Sequence, residues 1–390
     1  MTYSNPSGNE ADVDRHFMAI ALAEARKGRF WASPNPHVGC VLVRAGNELA
    51  RGFTQPPGES HAEIDALNKV SDARGATAYV TLEPCAHSGR TGPCVDALIT
   101  AGISRVVAAI EDPYPEVAGR GLARLRDSGI EVVTGVLADE ARSEIAGFLL
   151  RLTRGWGKVR LKLAASLDGR TAMASGESQW VTGPAARADV QCLRAESCVV
   201  VTGIGTVLAD DCSLTVRREQ LPLTGDELER ACTRQPLRVV LDTQLRIPTS
   251  ARVLNACGSS MVFYGDTDVA SVDRAKWPEQ VELQATDVTE GRLKLKSVLK
   301  ALGSRGANNI LVEAGPTLAS SLLEAGLVDE VVIYQAPKLL GASARPLVYS
   351  SYNRLSDALE LRLLEVSRVG HDLRMIAEPI KQESACSQEL

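Results

Sequence analysis

His61-Ala62-Glu63, Pro84-Cys85 and Pro93-Cys94 constrain this chain more than any other feature. One imidazole and two thiols from three separate segments can serve one metal ion only if the fold brings them to a point. Such a set makes a zinc site with three protein ligands and a fourth position left for water. Glu63, two residues after the histidine, is placed to move protons. With a helix continuing through Ile64 to Val70, His61 and Glu63 fall in its first turn. Cys94 follows a proline and opens a second expected helix, Val95 to Ala101, where the helix dipole favours a thiolate.

The chemistry explains the residue types. Zn2+ held by neutral imidazole and thiolates lowers the pKa of bound water to about 7, so a nucleophile is available at neutral pH. Attack on a ring carbon bearing an amino group gives a tetrahedral centre. That centre collapses only when the ring nitrogen and the departing amine receive protons, which Glu63 can collect and deliver as general base and then general acid. The residues therefore point to a zinc-dependent deaminase acting on a heterocycle. A structural zinc knot is the alternative. It normally takes four protein ligands, no fourth cysteine lies close by, and His87 is a candidate to complete it. Eight residues separate Cys85 from Cys94, against two in the commonest deaminase motif.

At 390 residues the chain has room for two domains of ordinary size. A net charge of −5 argues against a nucleic-acid surface, and a 4% aromatic content leaves few stacking platforms. No apolar run reaches membrane-spanning length, and the polar, acidic N-terminus is unlike a signal peptide. Nine scattered cysteines, an odd number, fit reduced thiols in the cytoplasm better than a disulfide framework. Cys192, Cys198, Cys212, Cys232, Cys257 and Cys386 are expected to be small packing residues or incidental thiols.

The first half alternates between helical and strand patterns. An amphipathic helix is expected over Val13–Lys27, with Val13, Phe17, Ile20, Ala21 and Ala25 on its apolar face. Strands are expected near Val38–Val43 and Ala78–Leu82, with the histidine-bearing helix between them. A strand at Arg105–Ile110, a helix around Ala118–Asp127, a strand at Glu131–Thr134 and a helix to about Leu152 follow. This alternation implies an α/β fold, a partly parallel sheet with helices on both faces, with ligands at helix starts beyond strand ends. Arg154-Gly-Trp-Gly157, just before the β-rich run Val159–Ala164, marks the expected domain boundary. The domains are then residues 11–155 and 156–380, with flexible tails at 1–10 and 381–390.

The second half lacks a Gly-x-Gly-x-x-Gly between a strand and a helix, so a Rossmann fold is not supported. Thr202-Gly-Ile-Gly205 is explained equally well by a turn after a strand at Cys198–Val201. Asn309–Thr317 is more informative: a buried strand ends at Glu313, a glycine turns the chain, and Pro316 starts a helix through Leu323. The free N–H groups there, with the Thr317 hydroxyl, can hold a phosphate, although a plain strand-turn-helix junction has the same pattern.

Thr81-Leu-Glu-Pro-Cys-Ala-His-Ser-Gly-Arg-Thr-Gly-Pro-Cys94 and Pro34-Asn-Pro-His-Val-Gly-Cys40 resemble the bifunctional deaminase/reductase family of riboflavin biosynthesis, which shows the same widened cysteine spacing. Lys162–Ala172, Gly176–Trp180, Thr206–Asp211 and Val312–Thr317 resemble the reductase half of that family. The resemblance covers nearly the whole chain. It implies a cytidine-deaminase-like three-layer N-terminal domain and a dihydrofolate-reductase-like C-terminal domain, with Zn2+ and NADPH as cofactors. The implied reactions are deamination of 2,5-diamino-6-ribosylamino-4(3H)-pyrimidinone 5′-phosphate, then reduction of the ribosyl group to ribityl. By resemblance His61, Cys85 and Cys94 hold the metal and Glu63 is catalytic, while Asn35, His87 and Arg90 contact the substrate. In the reductase half, Ala164, Trp180, Thr206, Asp210 and Thr243 border NADPH, with Gly315, Pro316, Thr317, Leu318, Ala319, Ser320 and Ser321 around its phosphates. Ser178, Arg194, Leu214, Arg217 and Glu313 face the second substrate. Lys162 and Asp168 are the candidates for assisting opening of the ribosyl ring, and Cys212 departs from the proline common in the family. Family members tend to associate, so a homo-oligomer is expected.

Two readings from other classes share some of these residues. A nucleic-acid-editing deaminase would need a basic binding face and leaves the residues after Gly157 without a role. A non-catalytic zinc scaffold would need a fourth protein ligand and no open position.

Overall fold

The computed structural model describes residues 8–86, 92–113, 119–266 and 273–380. The chain divides into two compact units between Gly157 and Lys158. The first contains, in order, α1 (Gly8–Ala25), β1 (Gly39–Arg44), β2 (Asn47–Phe53), α2 (Ala62–Leu67), β3 (Thr77–Val80), α3 (Cys94–Thr100), β4 (Arg105–Ala108), α4 (Arg120–Asp127), β5 (Glu131–Thr134), α5 (Ala138–Glu144) and α6 (Ala146–Arg154). Its sheet runs β2-β1-β3-β4-β5. The first three strands are antiparallel to one another in sequence of pairing, and β3, β4 and β5 are parallel.

Two glycines position the helices. A Cβ on Gly39 would stand 1.9 Å from the Ala21 carbonyl oxygen of α1, and one on Gly52 would stand 2.2 Å from that of Ala62 on α2. Gly52 pairs with Cys40, the neighbour of Gly39, so the two glycines point to opposite faces of the sheet. Helices α1 and α2 therefore pack on opposite faces, each with its backbone against a strand.

Sequence periodicity misplaces two features here. The buried stripe of α1 is Asp14, Phe17, Met18, Ala21, Leu22 and Ala25, while Val13 is exposed. Asp14 takes the inward position because its carboxylate accepts from Tyr79 Oη at 2.9 Å and from Arg105 at 2.7 and 2.8 Å. Strand β2 was not anticipated, because Asn47, Glu48 and Arg51 face solvent on an edge strand. Ala45 and Gly46, with φ of 52° and 77°, turn the chain between β1 and β2. Gly8–Glu10, expected in the N-terminal tail, belong to α1, where acidic Glu10 suits the positive end of the helix. The rest of that tail and residues 381–390 lie outside the described residues.

The second unit contains β6 (Lys158–Ser166), β7 (Arg170–Ala172), α7 (Pro184–Glu196), β8 (Val199–Gly203), α8 (Ile204–Asp210), α9 (Gly225–Cys232), β9 (Leu237–Leu241), α10 (Arg252–Asn255), β10 (Ser260–Gly265), β11 (Val281–Thr286), β12 (Val288–Thr289), β13 (Arg292–Leu293), α11 (Leu295–Ser304), β14 (Asn309–Glu313), α12 (Pro316–Glu324), β15 (Glu330–Ala336), β16 (Arg345–Pro346), β17 (Leu361–Val369) and β18 (Asp372–Pro379). Nine strands form its main sheet in the order β11-β10-β9-β8-β14-β6-β15-β18-β17. The strands from β11 to β15 are mutually parallel, and β18 and β17 add as an antiparallel edge. Val200, Val240, Val262, Leu311 and Val332 form continuous apolar layers inside it, as parallel strands covered on both faces require.

Candidate functional site

In the first unit, three elements end at one point. His61 is the residue before α2, Cys94 is the first residue of α3, and Cys85 lies in the loop after β3. His61 Nδ1 stands 3.3 Å from Cys94 Sγ and 3.6 Å from Cys85 Sγ. All three ligand atoms lie within 4.8 Å of one another. Bonds of about 2.0–2.3 Å to a tetrahedral zinc put neighbouring ligand atoms about 3.6 Å apart, so the donor set fits that ion. Among the described residues it is the one histidine, cysteine and carboxylate group with such spacing. Hydrogen bonds from Cys94 and His61 favour the thiolate at Cys85, lowering its pKa well below that of an ordinary thiol.

Glu63 is 4% exposed. Burial first, and then the charge of Cys85, raises its carboxyl to about 7, the range of a group that both takes and returns a proton. A divalent cation at the ligand triad would draw this value down again. Helix α2 ends at Leu67, with Asn68 at its C-terminus, three residues short of the Val70 expected from sequence.

The residues between β3 and Cys85 are tied on several sides. Thr81 N–H donates to Gly39 O at 3.1 Å, Glu83 N–H to Ile110 O at 2.9 Å, and Val95 N–H to Cys85 O at 3.2 Å. Sequence reasoning missed Glu83. Its buried carboxylate accepts from the N–H groups of Asp112 and Gly119, both at 3.0 Å, and of Gly121 and Leu122 at 2.9 and 3.3 Å. Four amides, two of them at the start of α4, thus satisfy a charge two residues before Cys85. A Cβ on Gly121 would stand 2.2 Å from Pro84 O, so that helix start touches the backbone beside Cys85. The only sequence signal was a carboxylate within the apolar run that ends at Pro84-Cys85.

Asn35 is half-buried in the loop before β1. Its neighbour Pro34 accepts from Arg151 on α6 at 2.9 Å, and His37 Nε2 lies 3.4 Å from Glu144 on α5. His87 and Arg90 lie outside the described residues.

In the second unit, a cavity of about 1030 Å³ opens where β8, β9 and β14 end. Seven arginines and Lys162 line it against two carboxylates, Asp210 and Glu313, an excess suited to anionic ligands. Ala164, Trp180, Thr206, Asp210, Thr243, Gly315, Pro316, Thr317, Leu318 and Ser321 are at its walls, as are Ser178, Arg194, Leu214, Arg217 and Glu313. Ala319 and Ser320 are not: they lie on the buried face of α12, where Ser320 Oγ accepts from Tyr349 N–H at 2.7 Å. Helical periodicity separates them from Thr317, Leu318 and Ser321. Gly315 precedes the nine-residue α12, Pro316 occupies its first turn, and Thr206 Oγ1 accepts from Gly315 N–H at 3.3 Å. Volume, cationic lining and a helix start at its floor fit a phosphorylated dinucleotide.

Arg194 and Glu313 are joined through Nε–Oε1 at 2.5 Å and Nη2–Oε2 at 3.0 Å, and Arg194 also reaches Thr215 O at 3.0 Å. That guanidinium is committed to Glu313, whereas the Arg217 guanidinium, among the described residues, donates to neutral Ser213 and Gln220. Burial lowers the pKa of Lys162 and nearby Glu313 opposes the shift. Asp168, the other candidate for assisting ring opening, is not among the residues of the cavity wall. It accepts from Ser166 Oγ at 2.5 Å and from Leu340 and Gly341 N–H at 3.1 and 2.8 Å, and so clamps two loops together. A carboxylate this well supplied with donors, its pKa lowered to about 2 by Ser166 and those amides, is a poor proton carrier.

Comparison with known proteins places each half of the chain in a known domain family. Residues 11–110 match the cytidine and deoxycytidylate deaminase zinc-binding region, and residues 157–375 match the RibD C-terminal domain. The chain is 48% identical over 367 residues to riboflavin biosynthesis protein RibD of Escherichia coli, covering 92% of this chain and 98% of that one. It is similar to the structure of Acinetobacter baumannii RibD, with a TM-score of 0.87 and 42% identity over 95% of this chain and 100% of the other. It is also similar to a diaminohydroxyphosphoribosylaminopyrimidine deaminase/5-amino-6-(5-phosphoribosylamino)uracil reductase of Thermotoga maritima, with a TM-score of 0.82, 32% identity and coverage of 95% and 100%. The N-terminal domain is cytidine-deaminase-like and zinc-binding, and the C-terminal one is an NADPH-dependent reductase of the RibD type. No helix among the described residues is long and apolar enough to cross a membrane. With two enzymatic halves and relatives matched along nearly their whole length, the chain belongs to the RibD family, the bifunctional deaminase/reductases of riboflavin biosynthesis.

Proposed function

We propose that residues 11–155 deaminate 2,5-diamino-6-ribosylamino-4(3H)-pyrimidinone 5′-phosphate and that residues 156–380 reduce the resulting 5-amino-6-(5-phosphoribosylamino)uracil. The observation that carries the first step is the convergence of His61, Cys85 and Cys94 beside a buried Glu63. Those three residues hold Zn2+, which supplies an activated water as nucleophile. Glu63, buried beside the ligand triad, takes a proton and returns it to the departing amine. Asn35 hydrogen-bonds the pyrimidine, and His87 and Arg90 serve the substrate phosphate.

In the second domain the cavity residues would hold NADPH, which would supply a hydride for C1′ of the ring-opened ribosylamine. Gly315, Pro316 and Thr317 present the start of α12 to its phosphates. Ala164, Trp180, Thr206, Asp210 and Thr243 border it, with Leu318 and Ser321 beyond. Arg217, with no carboxylate partner among the described residues, is the stronger anion ligand for the second substrate. Arg194 holds Glu313 toward it, and Ser178 and Leu214 complete the wall. Lys162, at the cavity wall beside Glu313, donates the proton for ring opening.

The enzyme is read as a cytoplasmic homo-oligomer acting on small molecules rather than nucleic acid, which a net charge of −5 supports. Zinc chelation tests the division of labour. Chelated protein should stop releasing ammonia from the diaminopyrimidinone and continue to oxidise NADPH when given the deaminated compound. Ammonia release that survives complete removal of zinc would exclude the metal site as the deaminase centre.

A further inference from the structure

Partners sort the arginines of the second cavity. Arg194 is taken by Glu313, Arg252 by Asp211 at 2.9 Å, and Arg246 by buried Asp242 at 3.5 Å. Arg187 lies over the Trp180 ring, 4.5 Å from its centroid. Arg217, Arg292 and Arg345 line the cavity without a carboxylate in ion-pair distance among the described residues. Position separates these three. Arg217 acts on Glu313, and Arg345 reaches Gly176, two residues before Ser178. Arg292 is on β13, with Nη1 3.5 Å from Ser321 Oγ on α12.

Local structure fixes Arg292 there. Val288 pairs with Leu293 and Thr289 with Arg292, and Glu290 and Gly291, at φ of 53° and 74°, close a two-residue hairpin. Leu293, 7% exposed, anchors it. A Cβ on Gly265 would stand 2.7 Å from Val288 Cγ2 and 3.2 Å from Thr243 Cγ2, so the hairpin packs close to Thr243. Thr243, Arg292 and Ser321 therefore share one end of the cavity.

Sheet order gives that end a meaning. In the sequence β9-β8-β14-β6, strands about 4.8 Å apart put Thr243 about 10 Å to one side of the α12 start and Ala164 about 5 Å to the other. With a dinucleotide's pyrophosphate at α12, its nicotinamide lies toward β6, where Lys162, Glu313 and Arg217 gather. Its adenosine then runs toward Thr243. NADPH differs from NADH by one phosphate, on the adenosine ribose. We infer that Arg292, seconded by Ser321 Oγ, binds this 2′-phosphate and sets the preference for NADPH over NADH. A guanidinium fork facing a hydroxyl, with no carboxylate in ion-pair distance among the described residues, is suited to such an anion.

The inference rests on the reading that the dinucleotide occupies this cavity, and two variants separate them. Steady-state reduction is measured with NADPH and with NADH, and binding of 2′,5′-ADP and of 5′-AMP by titration calorimetry. For Arg292→Ala the NADPH-to-NADH ratio of kcat/KM should fall about 10- to 100-fold, through KM for NADPH. The advantage of 2′,5′-ADP over 5′-AMP should shrink in parallel, and Arg292→Lys should recover part of both. An unchanged ratio overturns the inference. Gly315→Val places bulk at the α12 start and should weaken NADPH and NADH alike. If that variant binds both as the wild type does, the cofactor lies elsewhere and the inference falls with the cavity reading.

Discussion

Glu83 Oε1 accepts the backbone N–H of Gly121 at 2.9 Å, so a residue two positions before Cys85 of the candidate metal site is fastened to the start of α4. The same carboxylate holds three further amides. Glu83→Gln keeps the shape and removes one acceptor oxygen, which leaves two N–H groups facing an NH2. We expect a loss of about 3 kcal/mol in the first unit and a fall in bound zinc per chain. NADPH oxidation with deaminated substrate should persist, since it resides in the other unit. Metal analysis alongside both half-reactions checks this, and full zinc occupancy with full ammonia release would show that the clamp is dispensable.

Gly52 gives a second handle on the same site. Its missing side chain lets β2 touch α2, the helix that carries Glu63 and begins after His61. Gly52→Ala must push that helix away. The expected cost is about 3 kcal/mol, read as a lower urea midpoint for loss of ammonia release than in wild type. An unchanged midpoint would mean that α2 has room to move.

Arg194→Ala strands Glu313 in the wall of the second cavity with Lys162 and the more distant Arg217 as its remaining cations. Removing one partner of a buried pair costs about 3–5 kcal/mol. Arg194→Lys should recover little of it, because an ammonium cannot reproduce the two parallel contacts. Thermal unfolding of the three proteins with reductase activity as readout tests the order wild type, Arg194→Lys, Arg194→Ala.

Glu330 makes the second unit sensitive to acid. Burial raises its pKa, but Arg160 and Lys158, the latter at 2.6 Å, outweigh that and lower it. The folded value thus lies below the unfolded one of about 4.3. Its contribution to stability is fully present above the unfolded value and is lost as pH falls through the folded one. Urea midpoints of reductase activity should drop below about pH 4 in wild type and fall less steeply for Glu330→Gln. Equal slopes would show that other carboxylates set the acid limit.

Local chemistry was legible in the sequence where it is short-range. Glu131–Thr134 and Asn309–Glu313 are strands as their β-branched runs suggest, and Pro316 does start a helix. The convergence of His61, Cys85 and Cys94 is expected from the motif and the family resemblance, because one imidazole and two thiols serve a zinc ion only where the fold brings them together. What sequence could not reveal depends on partners distant along the chain. Edge strand β2 has the polar surface of a loop. Glu83 acquires its role from amides around residue 120, Asp14 from Arg105, and Asp168 from the loop at residues 340–341. Each is a carboxylate whose chemistry is set by donors that no local pattern announces.

The central claim is that one chain carries two separable chemistries, with Glu63 serving the first alone. The most direct test follows ammonia release and NADPH oxidation separately for wild type and Glu63→Ala, both zinc-loaded. Wild type should show both from the diaminopyrimidinone ribosylamine phosphate. Glu63→Ala should lose ammonia release by about 100-fold or more and still oxidise NADPH when supplied with the deaminated compound. Undiminished ammonia release from Glu63→Ala, or wild type that releases none from this substrate, would contradict the account.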